Sequence, residues 1–193
     1  MPVGELADCT GLLLAAGHAR RFGADKLLSV LADGRPLALA ALSTLQSVVA
    51  EVRVVLRPQQ TELAELCRAA GAGLVWVPET SSGLGENIAR GVAACPAAAG
   101  WLVALADMPW LSPASVRAVA DALAAGADIA APVYRGRRGH PVGFAARWGP
   151  ALCALRGDEG ARALLAVQQA ALVQIEVADA GVLRDVDVPQ DLP

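Results

Sequence analysis

The sequence predicts an α/β protein with an open, mainly parallel sheet and helices on both of its faces. Two observations predict this. Short apolar runs alternate with longer amphipathic segments along the whole chain. The runs are apolar throughout rather than at every second residue, the pattern of strands buried on both faces. At 193 residues the chain fits one medium domain with a full core, so a single unit over 1–193 is expected.

The elements follow in order. Thr10–Ala16 is the first apolar run and ends at a glycine. Pro36–Val49 reads as the first long helix. Glu51–Leu56 is rich in β-branched residues and is closed by Arg57 and Pro58, after which Gln59–Ala70 returns to helical spacing. Gly73–Val77 is a strand stopped by Pro78, and Gly85–Cys95 is the next helix. Trp101–Ala106 is a strand stopped by Asp107 and Pro109. Ser112 then offers an N-cap with Pro113 at the first position of a helix over Pro113–Ala125. Gly71 and Gly126 supply C-terminal stops. Asp128–Val133 and Leu172–Val177 are further strands, with a helix within Glu159–Gln169 between them. Tyr134–Phe144 breaks the rhythm, and its glycines and arginines predict a hairpin or excursion added to the sheet.

Composition excludes several classes of function. Hydrophobic residues make up 55 % of the chain, but alanine supplies much of this and no run approaches the roughly 20 apolar residues of a membrane span. The chain start lacks a basic segment followed by an apolar one, so no secretory signal is expected. The four cysteines, Cys9, Cys67, Cys95 and Cys153, form no CxxC pair, which argues against zinc and for buried reduced thiols in a cytoplasmic protein. A net charge of −3 with dispersed arginines gives no nucleic-acid footprint.

The chemistry concentrates in a few segments. In an open α/β sheet the ligand crevice lies beyond the carboxyl ends of the strands. The stretch Leu14-Ala15-Ala16-Gly17-His18-Ala19-Arg20-Arg21-Phe22-Gly23-Ala24-Asp25-Lys26 falls there. Its glycines permit close backbone approach, and Arg21 and Lys26 carry charge able to neutralise phosphate. It is neither the GxGxxG nor the GxxxxGK[ST] pattern, and the glycine spacing is wrong for a nicotinamide-binding oxidoreductase. On spacing alone it is either a phosphate cradle or a solvated basic turn.

Asp107 stands at the carboxyl end of a strand, where a carboxylate can ligate Mg²⁺ on phosphates or simply begin a turn. Asp185 and Asp187 alternate in Asp185-Val186-Asp187-Val188-Pro189-Gln190-Asp191 and so share one face. Ser82-Gly83-Leu84-Gly85-Glu86-Asn87-Ile88 opens a helix with free amides, either for an anion or as an ordinary turn. Arg135–Phe144 is either an anion-binding flap or a charged hairpin. Asp158 is read as the cap of the helix that carries Arg162. Trp76, Trp101, Trp110 and Trp148 form no stripe and suit packing.

Together these segments resemble the MobA/MocA-like molybdenum cofactor nucleotidyltransferases. The first loop is similar to that family's LAAGxSxRxGxxK, with Ala19 in place of serine. ADMP at residues 106–109 resembles its metal signature, and DVDVPQD at 185–191 its D[IV]DTPED ending. Residues 82–88 resemble GxGxSL, with Asn87 for serine. Residues 135–144 resemble RGxxGHPVGF, and 157–162 GDxGAR.

The resemblance implies a Rossmann-like nucleotidyltransferase domain in which Leu14, Ala15, Ala16 and Gly17 line the base and ribose. It implies that Arg21 and Lys26 hold the triphosphate, that Gly85 and Asn87 contact the nucleotide, and that Asp107 and Asp187 hold Mg²⁺. Arg138, His140 and Arg162 would meet the acceptor. Arg21, Lys26 and Asp107 would then be catalytic. The implied reaction moves a nucleoside monophosphate to a molybdopterin-type acceptor with release of pyrophosphate. LAAG together with GHPVGF resembles the cytidylyltransferase branch, so CTP is favoured over GTP. The alternatives are another acceptor, such as a sugar phosphate or phospholactate, and a non-catalytic carrier of the cofactor to a molybdenum hydroxylase.

Overall fold

The computed structural model describes residues 9–17, 26–81, 83–158 and 160–191. The expected sheet is present, with eight strands. Strand β1 (Cys9–Leu14) lies between β2 (Glu51–Leu56) and β4 (Gly100–Leu105), parallel to both, and β3 (Gly73–Trp76) flanks β2. On the other side of β4 come β5 (Ile129–Tyr134), the two-residue β6 (Arg137–Arg138), β7 (Val142–Ala145) and β8 (Leu172–Glu176). The helices are α1 (Leu37–Gln46), α2 (Thr61–Ala69), α3 (Leu84–Ala93), α4 (Pro113–Ala124), α5 (Gly149–Cys153) and α6 (Arg162–Val167).

The continuous apolar runs are explained by two cores. Along β1, Leu13 faces α1, α2 and α4, while Leu12 and Leu14 face α3, α5 and α6. Both faces are dry, so no position of the strand is free to be polar. Leu12 and Leu13 have no exposed surface, and each contributes roughly 1.5–3 kcal/mol by leaving water.

The segment 134–144 differs from a simple addition to the sheet. Its first half is a tight hairpin in which Tyr134 pairs with Arg137 across Arg135 (φ 51°) and Gly136 (φ 73°), the left-handed pair that a two-residue turn needs. Its second half, β7, runs antiparallel between β4 and β5, in the middle of the sheet. Gly143 leaves room there for α4: a Cβ would lie 2.8 Å from Val119 Cγ1.

Helix ends follow local chemistry. Ser112 caps α4, its hydroxyl accepting from the Ala114 amide at 3.2 Å. Asp158 does not cap α6, whose N-cap is Ala161 with no side-chain bond. The late helix, α6, falls within the expected Glu159–Gln169, and α5 is an additional short helix that the sequence pattern does not predict. Cys67 and Cys95 are buried, but Cys9 and Cys153 are only half-buried, so burial of all the thiols does not hold. Among the described residues no helix is long and apolar enough to cross a membrane.

Candidate active site

The carboxyl ends of β1 and β4 define the crevice. The Ala15 amide donates to Val55 O and the Ala106 amide to Leu14 O, which carries the sheet pairing just past the last strand residues. Ala15 and Ala16 are buried, and Gly17 emerges into solvent. Among the described residues, a Cβ on Gly17 would meet nothing within 4 Å. Its φ lies outside the left-handed region. Arg21, like Ala19, Gly23 and Ser82, lies outside the described residues.

Across the crevice, Lys26 Nζ donates to Asp107 Oδ2 at 2.8 Å. The pair is mostly enclosed, with the side chains 12 % and 23 % exposed. Asp107 Oδ1 is buried and has no hydrogen-bond partner among the described residues. Beside it the Val186 amide donates to Asp107 O at 3.0 Å. Val186 is fully buried, and the alternation leaves Asp185 and Asp187 exposed on either side of it. The two acidic segments that sequence spacing left unconnected are therefore neighbours.

The chain after Asp187 turns back so that Asp191 Oδ2 accepts from the Asp187 and Val188 amides, at 2.8 and 2.9 Å. Those two amides hold the Asp191 carboxyl below its ordinary range. Burial pushes the Asp185 carboxyl up, and the Asp187 and Asp107 carboxylates push the same way against the opposing effects of its own amide and Lys26.

Whether a cation suits these residues can be judged from their donors. Asp107 offers a hard carboxylate oxygen that is buried without a hydrogen-bond partner among the described residues. The backbone contact of Val186 brings the Asp185–Asp187 segment beside it, although the described side chains form no group of three or more metal-ligating residues. A Mg²⁺-like ion characteristically takes one or two carboxylates and completes its shell with phosphates and water, so the residues fit.

A cavity of about 230 Å³ opens beside this centre. Leu14, Leu84, Val103, Val142 and Phe144 give it apolar walls, and Arg138, His140 and Arg162 supply the polar part of its lining. Three residues assigned to an acceptor by resemblance thus come together. The His140 amide donates to Val182 O at 2.9 Å, which ties the hairpin to the C-terminal segment. Burial lowers the His140 imidazole's affinity for a proton, only partly offset by the Val103 carbonyl and the Asp107 carboxylate.

Two assignments are placed differently. The Gly85 amide is not free, because it donates to Gly157 O at 2.9 Å. A Cβ on Gly85 would lie 2.7 Å from Arg156 O, so this glycine is needed for the packing of two loops. Asn87 is 3 % exposed and turned inward, its Oδ1 accepting from the Ser81 hydroxyl at 3.0 Å. Both residues shape the loop from behind.

Sequence reasoning missed several supports. Arg57 and Gln60 bind the backbone of the first loop, and Asp179 pins the C-terminal segment to α4. An arginine directly at the end of a buried strand was the available signal for the first of these. Asp179 gave none, because its partners are distant in sequence.

The family model for the MobA-like NTP transferase domain matches residues 11–174. The purine catabolism protein PucB of Bacillus subtilis is 32 % identical over 191 residues, covering 94 % of this chain and 92 % of PucB. The nicotine blue oxidoreductase of Paenarthrobacter nicotinovorans is 30 % identical, covering 97 % of this chain and 96 % of its own. A shorter match, 43 % identical over 76 residues, covers 39 % of this chain and 37 % of the molybdenum cofactor guanylyltransferase of Burkholderia vietnamiensis. Among solved structures, Rv0371c of Mycobacterium tuberculosis in complex with manganese superposes with a TM-score of 0.72 at 26 % identity, covering 96 % of this chain and 92 % of that one. With its fold, the order of its motifs and these full-length relatives, the chain belongs to the MobA-like NTP transferase domain family and is a nucleotidyltransferase by family.

Proposed function

We propose that this chain, acting as one catalytic domain over residues 1–193 in the cytoplasm, transfers CMP from CTP to molybdopterin or its molybdenum-loaded form. The observation that carries the reading is the meeting of Lys26, Asp107 and the Asp185–Asp187 segment at the carboxyl ends of β1 and β4. In this reading Leu14, Ala15, Ala16 and Gly17 line the base and ribose, while Arg21 and Lys26 neutralise the triphosphate. Arg138, His140 and Arg162 orient the acceptor, with His140 as a neutral hydrogen-bonding group because burial disfavours its charged form. An oxygen of the acceptor phosphate forms the new bond to the α-phosphorus, the bond to the bridging oxygen breaks, and pyrophosphate leaves. The attacking phosphate is already ionised, so no side chain has to remove a proton. When bound by Asp107 and Asp187, Mg²⁺ supplies charge neutralisation and alignment of the phosphates. The product would pass to a molybdenum hydroxylase.

CTP is preferred over GTP on the LAAG and GHPVGF segments; the partial likeness to a guanylyltransferase makes GTP the alternative base. The full-length likeness to a protein named an oxidoreductase favours a second reading, redox chemistry on the same cavity. One experiment separates them. Pyrophosphate release is measured with CTP, GTP, ATP and UTP, each with Mg²⁺ and molybdopterin, with Asp107→Ala as control. CTP turnover lost at least about 100-fold in the variant is the expected result. Full activity of Asp107→Ala would falsify the metal assignment. No turnover with any triphosphate moves the test to sugar phosphate and phospholactate acceptors, to cofactor delivery, and to redox turnover.

A further inference from the structure

Arg57 sits where β2 ends and is 4 % exposed, an enclosed guanidinium at the edge of the crevice. Its Nε donates to Ala16 O at 2.6 Å, and its two terminal nitrogens donate to Glu79 O at 3.3 Å and Ser81 O at 3.5 Å. One planar group therefore spans two loops that approach from different strands, the loop after β1 and the loop after β3. Gln60 completes the brace. Its Oε1 accepts from the Arg57 amide at 2.8 Å, and its Nε2 donates to Ala15 O at 3.0 Å.

The consequence for the first loop follows from peptide planarity. In a trans peptide the carbonyl and the next amide point in opposite directions. With Ala15 O held by Gln60 and Ala16 O held by Arg57, the amide of each of these two peptides points opposite to its own braced carbonyl. Gly17 is the exposed residue, and no described residue other than its chain neighbours comes within 4 Å of where its Cβ would lie. Two carbonyl dipoles that would repel an anion are thus tied to Arg57 and Gln60 instead of being left to face the crevice. The same guanidinium fixes Ser81, whose hydroxyl reaches Asn87, so the second loop is set by the same group.

We infer that Arg57 is a positioning residue that couples the two loops and sets affinity for the triphosphate, with no part in holding the acceptor. This rests on the proposal that the first loop takes a nucleoside triphosphate. Lysine cannot reproduce it, because an ammonium lacks the fixed fork needed to reach carbonyls in different loops.

The test is equilibrium binding of CTP and GTP with Mg²⁺, and separately of molybdopterin, to wild type, Arg57→Lys, Arg57→Met and Gln60→Leu, with thermal unfolding as the folding control. The expected result is a loss of about tenfold or more in triphosphate affinity for Arg57→Met. Arg57→Lys should be intermediate and Gln60→Leu weakened a few-fold, while molybdopterin affinity stays within about twofold. The Gln60 variant keeps the inference testable if the arginine variants fail to fold. Unchanged triphosphate affinity, or equal loss for both ligand types, overturns the inference alone. A wild-type protein that binds neither triphosphate overturns the nucleotide reading and this inference with it.

Discussion

Removing the Asp179 carboxylate should loosen the C-terminal segment that carries Val182 and Asp187. Asp179 Oδ2 accepts from the Ser112 amide at 2.9 Å and the Ser115 hydroxyl at 2.8 Å, while Oδ1 accepts from the Gly181 amide at 2.8 Å. A bond to an ionised acceptor is worth about 1.5–3 kcal/mol, so three give an upper sum of about 4.5–9 kcal/mol. Asp179 is half-buried, water can replace part of what is lost, and the Ser115 hydroxyl can rotate. We therefore expect Asp179→Ala to cost about 3 kcal/mol, and Asp179→Asn, which keeps one acceptor oxygen, about half as much. With a urea dependence of about 2 kcal/mol per M, the midpoint of Asp179→Ala falls by about 1.5 M. The effect should reach the site. Val182 O holds the His140 amide, and the Val186 amide holds Asp107 O, so activity should drop even where the variant is fully folded. A midpoint within about 0.3 M of wild type sinks the reasoning, since three bonds of this kind cannot vanish without trace.

Two further outcomes are expected. His140 should titrate below the ordinary 6.5 of histidine in an NMR pH series, because burial opposes its charging. The unfolded chain then takes up this proton more readily than the folded one, so stability falls as pH drops below about 6.5 and levels off beneath the folded pKa. His140→Gln should flatten that part of the stability profile, and a pKa at or above the ordinary value contradicts the argument. Gly139→Ala should lower stability by about 2–3 kcal/mol, since its new Cβ would collide with the Val182 carbonyl oxygen, a backbone atom with nowhere to move cheaply. Denaturation at the wild-type midpoint would show that the C-terminal segment around Val182 can shift freely.

Much of this protein was legible one residue at a time. Runs such as Leu12–Leu14 and Val54–Leu56 announced strands buried on both faces, because a strand with one wet face cannot be apolar at every position. Ser112 and Pro113 marked a helix start, and Gly71 and Gly126 its stops elsewhere, because capping and left-handed backbone are local chemistry. The family resemblance named Lys26, Asp107, Arg138 and His140; Lys26 and Asp107 are bonded to one another, and Arg138 and His140 line the cavity.

Only the tertiary structure decided the rest, and for one physical reason: those contacts join residues far apart in the chain. Threading β7 between β4 and β5 is a matter of sheet register, which Tyr134–Phe144 does not carry within itself. Val186 meets Asp107, and Asp179 meets Ser112, only because the chain end folds back over α4. Gly85 looked like a ligand loop because its amide would be free in an isolated helix start; in the fold, Gly157 takes it. Sequence thus determined which segments are strands, which are helices and which carry charge to the crevice. The fold determined which of those groups face a ligand and which, like Arg57, hold the facing groups in place.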